Sequence, residues 1–338
     1  MEKADKLIAL LREYADLGIV DQIDYQKFYL YSLITHSTAI EGSTVTEIEN
    51  QLLFDEGITA RGRNIQEQMM NLDLKVAYEH SLKLAEQHTD YSTDMLINLS
   101  ALVMKNTGSQ YNTAQGTFDA SKGELRLVGV TAGIGGNSYM NYRKVPAKLE
   151  EFCSQLNESR HKLLDTDDLI AKYILSFDAH YQLVTIHPWV DGNGRMARLI
   201  MNQLQYEFGL IPSMIVKDHK AEYIQALVDS RVKESLEPFR DFMLDEQIRN
   251  IGQEIEGYRK SQSFDPIKSI SEPAAPYLDP ITDKLFQAIK QDNTLNYDGY
   301  ATLLGVSPAT IKRRLSKLRA TGAIVRIGSK KTGKWQIK

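Results

Sequence analysis

The sequence predicts a mainly α-helical protein that carries one small β-hairpin and ends in a separate basic module of three helices and two strands. Three observations lead there. Apolar residues recur at helical spacing through most of the first 260 residues. One glycine-rich stretch, 116–145, interrupts that pattern with the strand-like run Leu125-Arg126-Leu127-Val128-Gly129-Val130, read as a short hairpin or flap. From Gly305 to Lys338 there are ten Lys/Arg and no Asp/Glu although the whole chain has a net charge of −4, so residues 1–304 carry −14.

Composition narrows the class. At 338 residues, with 42% hydrophobic and 25% charged side chains, this is an ordinary globular chain of two or three domains, a domain taking roughly 100–200 residues. No apolar run approaches the roughly 20 residues that cross a bilayer. The opening Met1-Glu2-Lys3-Ala4-Asp5-Lys6 lacks the basic-then-apolar layout of a secretory signal. The single cysteine, Cys153, excludes an internal disulfide and a cysteine-built zinc site. A cytoplasmic protein with no membrane partner is the expectation.

Along the chain, Leu7, Leu10, Leu11, Tyr14 and Leu17 predict a first helix. A second runs from about Asp24 to Ile40 and stops at Gly42, a residue suited to the position just past a helix end. Thr44-Val45-Thr46-Glu47 has the form of a capping box, so a third helix is expected there. Others are expected at 64–88, 93–105, 146–159, 167–183, 194–208 and 235–257. Gly133-Ile134-Gly135-Gly136 invites comparison with a phosphate loop, but no apolar strand leads into it and no helix cap follows. Pro266, Pro273, Pro276 and Pro280, mixed with serines, mark a linker. The expected layout is an N-terminal helical region at 1–100, a core at 101–260, a linker at 261–280 and the basic module at 281–338.

The chemistry concentrates in Ile186-His187-Pro188-Trp189-Val190-Asp191-Gly192-Asn193-Gly194-Arg195-Met196-Ala197-Arg198, a polar turn between two helical patterns. Gly192 and Gly194 permit backbone angles that turn successive N–H groups into one concavity. With the positive end of the following helix, they make an anion site suited to phosphate. Arg195 and Arg198, three residues apart, project from one face of its first turn and add forked, charge-assisted bonds. Asp191 would repel a polyphosphate alone, but a shared Mg²⁺ turns it into a bridge. His187 at the mouth suits proton removal near neutral pH. Each piece alone is commonly just a turn or a solvated face; their conjunction within twelve residues points to a site.

This stretch resembles the signature of the Fic family, H-P-F-x-[D/E]-G-N-G-R-x-x-R, and departs from it only in Trp189 for Phe. Ala179-His180 and Leu199-Ile200-Met201-Asn202 also resemble family sequence, and the likeness spans at least 100–245. It implies an all-helical core that transfers AMP from ATP to a protein Tyr, Thr or Ser hydroxyl with Mg²⁺. The resemblance makes His187 the base, Asp191 the metal ligand, and Gly192, Asn193 and Gly194 the phosphate grip. Arg195 then pairs with the β-phosphate and Arg198 with the γ-phosphate, while Asn202 and Tyr223 are candidates for the nucleoside pocket. The flap is expected to hold a target segment by main-chain pairing.

Ser37-Thr38-Ala39-Ile40-Glu41-Gly42 resembles the family's inhibitory motif, [S/T]-x-x-x-E-[G/N]. A carboxylate at the last turn of a helix faces unpaired carbonyls, which is unfavourable by a few tenths of a kcal/mol or more without a cation. The resemblance supplies one: Glu41 pairs with Arg198 and blocks the γ-phosphate, with Ser37 steadying the carboxylate. Removal of AMP from a modified target, or transfer of another phosphate-linked group, is an alternative use of the same site. Self-modification is a further expectation.

Residues 281–338 resemble a winged helix-turn-helix, with Lys312, Arg313, Arg314, Lys317 and Arg319 on its third helix and Gly322–Gly328 and Gly333–Ile337 as the wing. The basic face suits DNA phosphates. Homodimerisation is the alternative use of such a module, and an ATP-sensing transcription regulator the alternative for the whole chain.

Overall fold

The computed structural model describes residues 2–132, 138–263, 280–320, 324–327 and 334–337. The chain divides into two compact units, Met1–Ser261 and Gln262–Lys338. The Gly133–Gly136 run and nearly all of the expected linker lie outside the described residues.

The first unit is helical, as expected. α1 (Glu2–Asp16) and α2 (Tyr25–Ile40) precede α3 (Glu47–Glu56), α4 (Ile65–Glu86) and α5 (Thr93–Val103). A hairpin of β1 (Gln110–Thr113) and β2 (Gly116–Asp119) follows, pairing antiparallel with Tyr111 opposite Phe118. Then come α6 (Val145–Leu164), α7 (Leu169–Ile186), α8 (Asn193–Glu207), α9 (Lys220–Val232) and α10 (Glu237–Ser263). The sequence pattern missed α9, because its apolar side chains do not form one inward stripe: Tyr223 and Ala226 are buried while Ile224, Val228 and Val232 lie open.

α8 is the central element, packed between α4 and α7. Its Met196, Ala197, Leu199, Ile200, Met201 and Leu204 are fully buried. Its other side buries Arg195, Arg198, Asn202 and Gln205, so the whole helix sits inside, and cutting one such leucine to alanine costs about 2–5 kcal/mol. α2 is similarly enclosed and carries buried polar groups that must find partners. They do: Thr38 donates to Asn71 Oδ1 at 2.8 Å, and Asn50 Nδ2 donates to both Thr35 Oγ1 and Asn71 Oδ1 at 2.8 Å. This network ties α2 to α3 and α4.

Two local expectations change. The capping box forms at Thr46 and Glu49, because the Glu67 carboxylate already takes the Thr44 N–H and hydroxyl, at 2.6 and 2.8 Å. The strand expected at Leu125–Val130 does not form; the hairpin lies upstream at 110–119. Instead, the Arg126 side chain donates to the carbonyls of Val128, Met140 and His187, and Tyr139 N–H donates to Val130 O at 3.0 Å. A bridge between Thr131 and Ser138 closes this irregular flap. Cys153 is buried, and burial pushes its thiol up to about 12, so it is inert at neutral pH.

The second unit holds α11 (Pro280–Gln291), α12 (Tyr297–Leu304) and α13 (Pro308–Ala320), then β3 (Ile324–Ile327) paired antiparallel with β4 (Lys334–Ile337). Leu285, Ile289, Tyr300, Ile311, Leu315, Leu318 and Trp335 form its core. Among the described residues no helix is long and apolar enough to cross a membrane.

Candidate functional site

The turn between α7 and α8 is built by its own side chains. His187 caps α7 with φ 52° and ψ 62°, the left-handed region that costs a side-chain-bearing residue on the order of 1 kcal/mol. Trp189 is buried beneath the turn and its indole N–H donates to Gly123 O at 2.9 Å. The Asn193 side chain closes the loop, accepting from Trp189 N at 3.1 Å and donating to Trp189 O at 2.9 Å. Each end of that amide is thus engaged once on the loop, and the Asn193 backbone N–H stands at the start of α8. Gly192 takes φ 81° where a Cβ would lie 2.8 Å from Met104 Sδ, so only glycine fits.

The cations follow on the first turns of α8. Arg195 is buried, donates to Met104 Sδ at 3.1 Å, and stands 3.6 Å from Asp191 Oδ2. Its Nε is buried without a hydrogen-bond partner. An orphaned guanidinium nitrogen beside a helix N-terminus is the kind of group a bound anion satisfies. Arg198 is buried and fully engaged: Nε donates to Ser37 Oγ at 2.8 Å, and Nη2 to Ser37 O at 3.0 Å and Glu41 Oε1 at 2.5 Å. Burial alone would raise the Glu41 pKa, but Arg198, with Arg195 and Lys220 behind it, outweighs that and holds the carboxylate below its ordinary value. One third of the Glu41 side chain stays open to solvent, at 33%, against 4% for Arg198. Gly42 follows with φ 105° and lets the chain leave α2.

Gly194 joins these parts. A Cβ there would lie 2.6 Å from Glu41 Oε1 and 3.1 Å from Arg198 Nη1. The carboxylate therefore rests on the first turn of α8, where the sequence expects an anion.

At the other end of the turn, His187 Nδ1 lies 3.3 Å from Val184 O, which leaves Nε2 as the free edge. Burial, with Arg126 and Arg231 adding to it against the opposing pull of the Val184 bond and Asp191, lowers its pKa to about 4. The imidazole is thus neutral, a proton acceptor, at physiological pH. Asp191 is largely exposed and accepts from Gly192 N at 2.6 Å. Among the described residues no group of three or more His, Cys, Asp or Glu side chains gathers to hold a metal. A lone open carboxylate next to an anion site fits Mg²⁺ only in company with phosphate oxygens, which suits that ion's preference.

Several expected site residues stand elsewhere. Asn202, 1% exposed, accepts from Tyr78 at 2.7 Å and donates to Gln205 and Ser213. Tyr223, 2% exposed, lies 3.1 Å from His180 Nε2 and among aromatic rings. Both are enclosed in the core, and Tyr223 also hydrogen-bonds to Arg198. In the second unit Lys312, Arg313 and Arg319 are exposed but Arg314 is buried, at 5%, on the α13 face that packs inward. Arg314 is thus removed from the candidate DNA face; the Lys317 side chain lies outside the described set. Sequence reasoning overlooked Arg126, Tyr139 and Arg231 around His187. The first had a signal, a lone arginine within an apolar run.

Comparison with known proteins bears on both units. Residues 90–205 match the Fic/DOC family model, and residues 282–328 match a DeoR-like helix-turn-helix domain. Protein adenylyltransferase fic-1 of Caenorhabditis elegans is 25% identical over 204 residues, which are 60% of this chain and 36% of that protein. Protein adenylyltransferase Fic of Drosophila grimshawi is 26% identical over 247 residues, 72% of this chain and 46% of the relative. This chain thus spans less than half the length of these curated relatives. In fold, a Fic domain containing signaling protein from Bacteroides thetaiotaomicron matches with a TM-score of 0.62 at 19% identity, covering 75% of this chain and 98% of the other. Fic-1 from C. elegans matches at 0.60 with 22% identity, covering 77% and 73%.

Proposed function

We propose that this chain, a Fic/DOC family protein with a DeoR-like helix-turn-helix region at its C-terminal end, is a protein adenylyltransferase held in check by its own Glu41. The observation that carries the reading is the ring of groups on one turn: a neutral His187, an α8 N-terminus lined by glycines, a buried Arg195 with an orphaned Nε, and Arg198 clasped by Glu41. The distant kinship with protein adenylyltransferases supports it.

The chemistry follows from those positions. ATP lays its phosphates on the α8 N–H groups, with Arg195 and Arg198 drawing charge from the β- and γ-phosphates. Asp191 is the residue that would hold Mg²⁺, which neutralises phosphate charge when bound. A target hydroxyl oxygen attacks the α-phosphorus and its proton passes to His187 Nε2. The O–P bond to the target forms as the bond from the α-phosphorus to the bridging oxygen breaks, and pyrophosphate leaves. The target gains AMP.

Glu41 opposes this by competition. Its carboxylate occupies the Arg198 guanidinium and the space above Gly194, so a γ-phosphate arriving there meets like charge at close range. Mass spectrometry of Glu41→Gly protein incubated with Mg-ATP tests the reading: an AMP adduct on a hydroxyl supports it, whereas a phosphate adduct, or none on any protein offered, overturns it. Label carried on the α-phosphate, not the γ-phosphate, makes the same distinction.

The exposed Lys312, Arg313 and Arg319 on α13, with the helix-turn-helix match, favour DNA as a second partner. A salt-dependent gel shift by the full chain supports this; no shift at low salt removes it.

A further inference from the structure

The flap residue Tyr139 lies flat against the base. Its ring centroid is 3.7 Å from that of His187 and the two planes differ by 18°. With one ring face filled by the imidazole, the other is left to Arg231 of α9, whose guanidinium carbon sits 4.9 Å from the same centroid. Cation, phenol and imidazole thus form a three-layer stack. Two of its layers come from elements remote in sequence from the motif.

The stack is anchored. Tyr139 N–H donates to Val130 O at 3.0 Å, and Met140 O, one residue on, accepts from Arg126. Arg126, 1% exposed, also donates to His187 O at 2.7 Å and Val128 O at 2.7 Å. One buried side chain therefore grips both limbs of the flap and the backbone of the base. His187 needs such support: its left-handed backbone is strained and Nδ1 has a single, long contact with Val184 O. Rotation about χ2 would otherwise swing Nε2 away.

We propose that Tyr139 is a positioning residue for His187: its ring, held by the flap and covered by Arg231, fixes the imidazole plane so that the Nε2 edge stays presented for proton transfer. This rests on the reading of His187 as the base. The phenol ring also keeps water off one imidazole face. The charged groups around that imidazole are Arg126 from the flap, Arg231 from α9 and Asp191 from its own turn, two cations against one exposed anion. Uncovering the face lets water stabilise the imidazolium, so the base then protonates at a higher pH.

The test uses the full chain carrying Glu41→Gly, with Tyr139→Ala, Tyr139→Phe and Arg231→Met added separately. Tyr139→Ala is expected to lower kcat about ten- to a hundredfold, the scale for a misoriented reacting group, with KM for ATP unchanged. Its acid limb should move upward by at least one pH unit. Tyr139→Phe, which keeps the ring, restores both. Arg231→Met moves the limb upward by less and is the fallback should the alanine variant not fold. NMR titration of the His187 imidazole reads the same shift without any turnover, so it decides the positioning role even if no variant transfers AMP. Unmoved His187 titration and kcat in Tyr139→Ala, or a phenylalanine variant that behaves like alanine, would overturn the proposal.

Discussion

Replacing Glu41 with glycine removes a carboxylate that a nucleotide would have to displace. Its Oε1 takes one charge-assisted N–H from Arg198 at 2.5 Å, while Ser37 supplies the other two bonds to that guanidinium. One such bond contributes about 1.5–3 kcal/mol, and the third of the side chain open to water favours the lower half of that range. If breaking it is the step between idle and productive ATP, its loss speeds labelling roughly 10- to 50-fold. The same bond leaves the fold, so the variant should melt several degrees lower, taking about 2–4 °C per kcal/mol for a unit of this size. Higher activity from a less stable protein is the distinctive outcome. Incorporation of α-labelled ATP into the full chain and a thermal melt of the same preparation measure both. Equal labelling by the variant and the parent, with Arg198 intact, would refute the reasoning.

Other expectations can be checked in parallel. His187→Ala in the Glu41→Gly background should cost at least about 100-fold in labelling, the general-base contribution, without weakening ATP binding measured by calorimetry. Because the His187 pKa is lowered to about 4, the Glu41→Gly protein should hold its rate as pH falls from 8 to 5 and lose it through about 4, where the imidazole takes up its proton; an acid limb near 6.5 would contradict this. Trp189→Phe restores the residue usual at that position yet leaves Gly123 O without its buried donor, so chemical denaturation should show a loss of about 1–3 kcal/mol with labelling retained. Lys312→Glu with Arg313→Glu should weaken any DNA retention and flatten its salt dependence.

The helices of the first unit other than α9 were legible because burial imposes a period, and the turn at 187–198 because its residue types are unusual together. Position within a buried network was not. Asn202 and Tyr223 entered as site residues through the family resemblance, and each is hydrogen-bonded in the core, to Tyr78, Gln205 and Ser213 for one and to His180 and Arg198 for the other. Arg314 read as part of a basic face although it points inward; helical phase turns it about 100° from Arg313 and about 200° from Lys312, which charge counting ignores. The strand was misplaced for a related reason. Leu125–Val130 has the composition of a strand, but its backbone groups pair with the Arg126 side chain, Pro188 O and Tyr139 N, and composition carries no record of that.

On the proposed reading, Gly194 explains why brake and substrate site would coincide. The first turn of α8 offers unpaired N–H groups and a partial positive charge, which any anion can use. A side chain at Gly194 would exclude that anion, since its Cβ would come within 2.6 Å of the Glu41 carboxylate. The vacancy that admits a phosphate is therefore the vacancy that admits Glu41. A glutamate delivered by α2 is held at the site by the chain itself, and it pairs with the same Arg198 that the proposed reading assigns to the γ-phosphate. On that reading, a shift of α2 that withdraws this one carboxylate would release the site. The Thr35, Thr38, Asn50 and Asn71 network that pins this helix sets how hard that shift is.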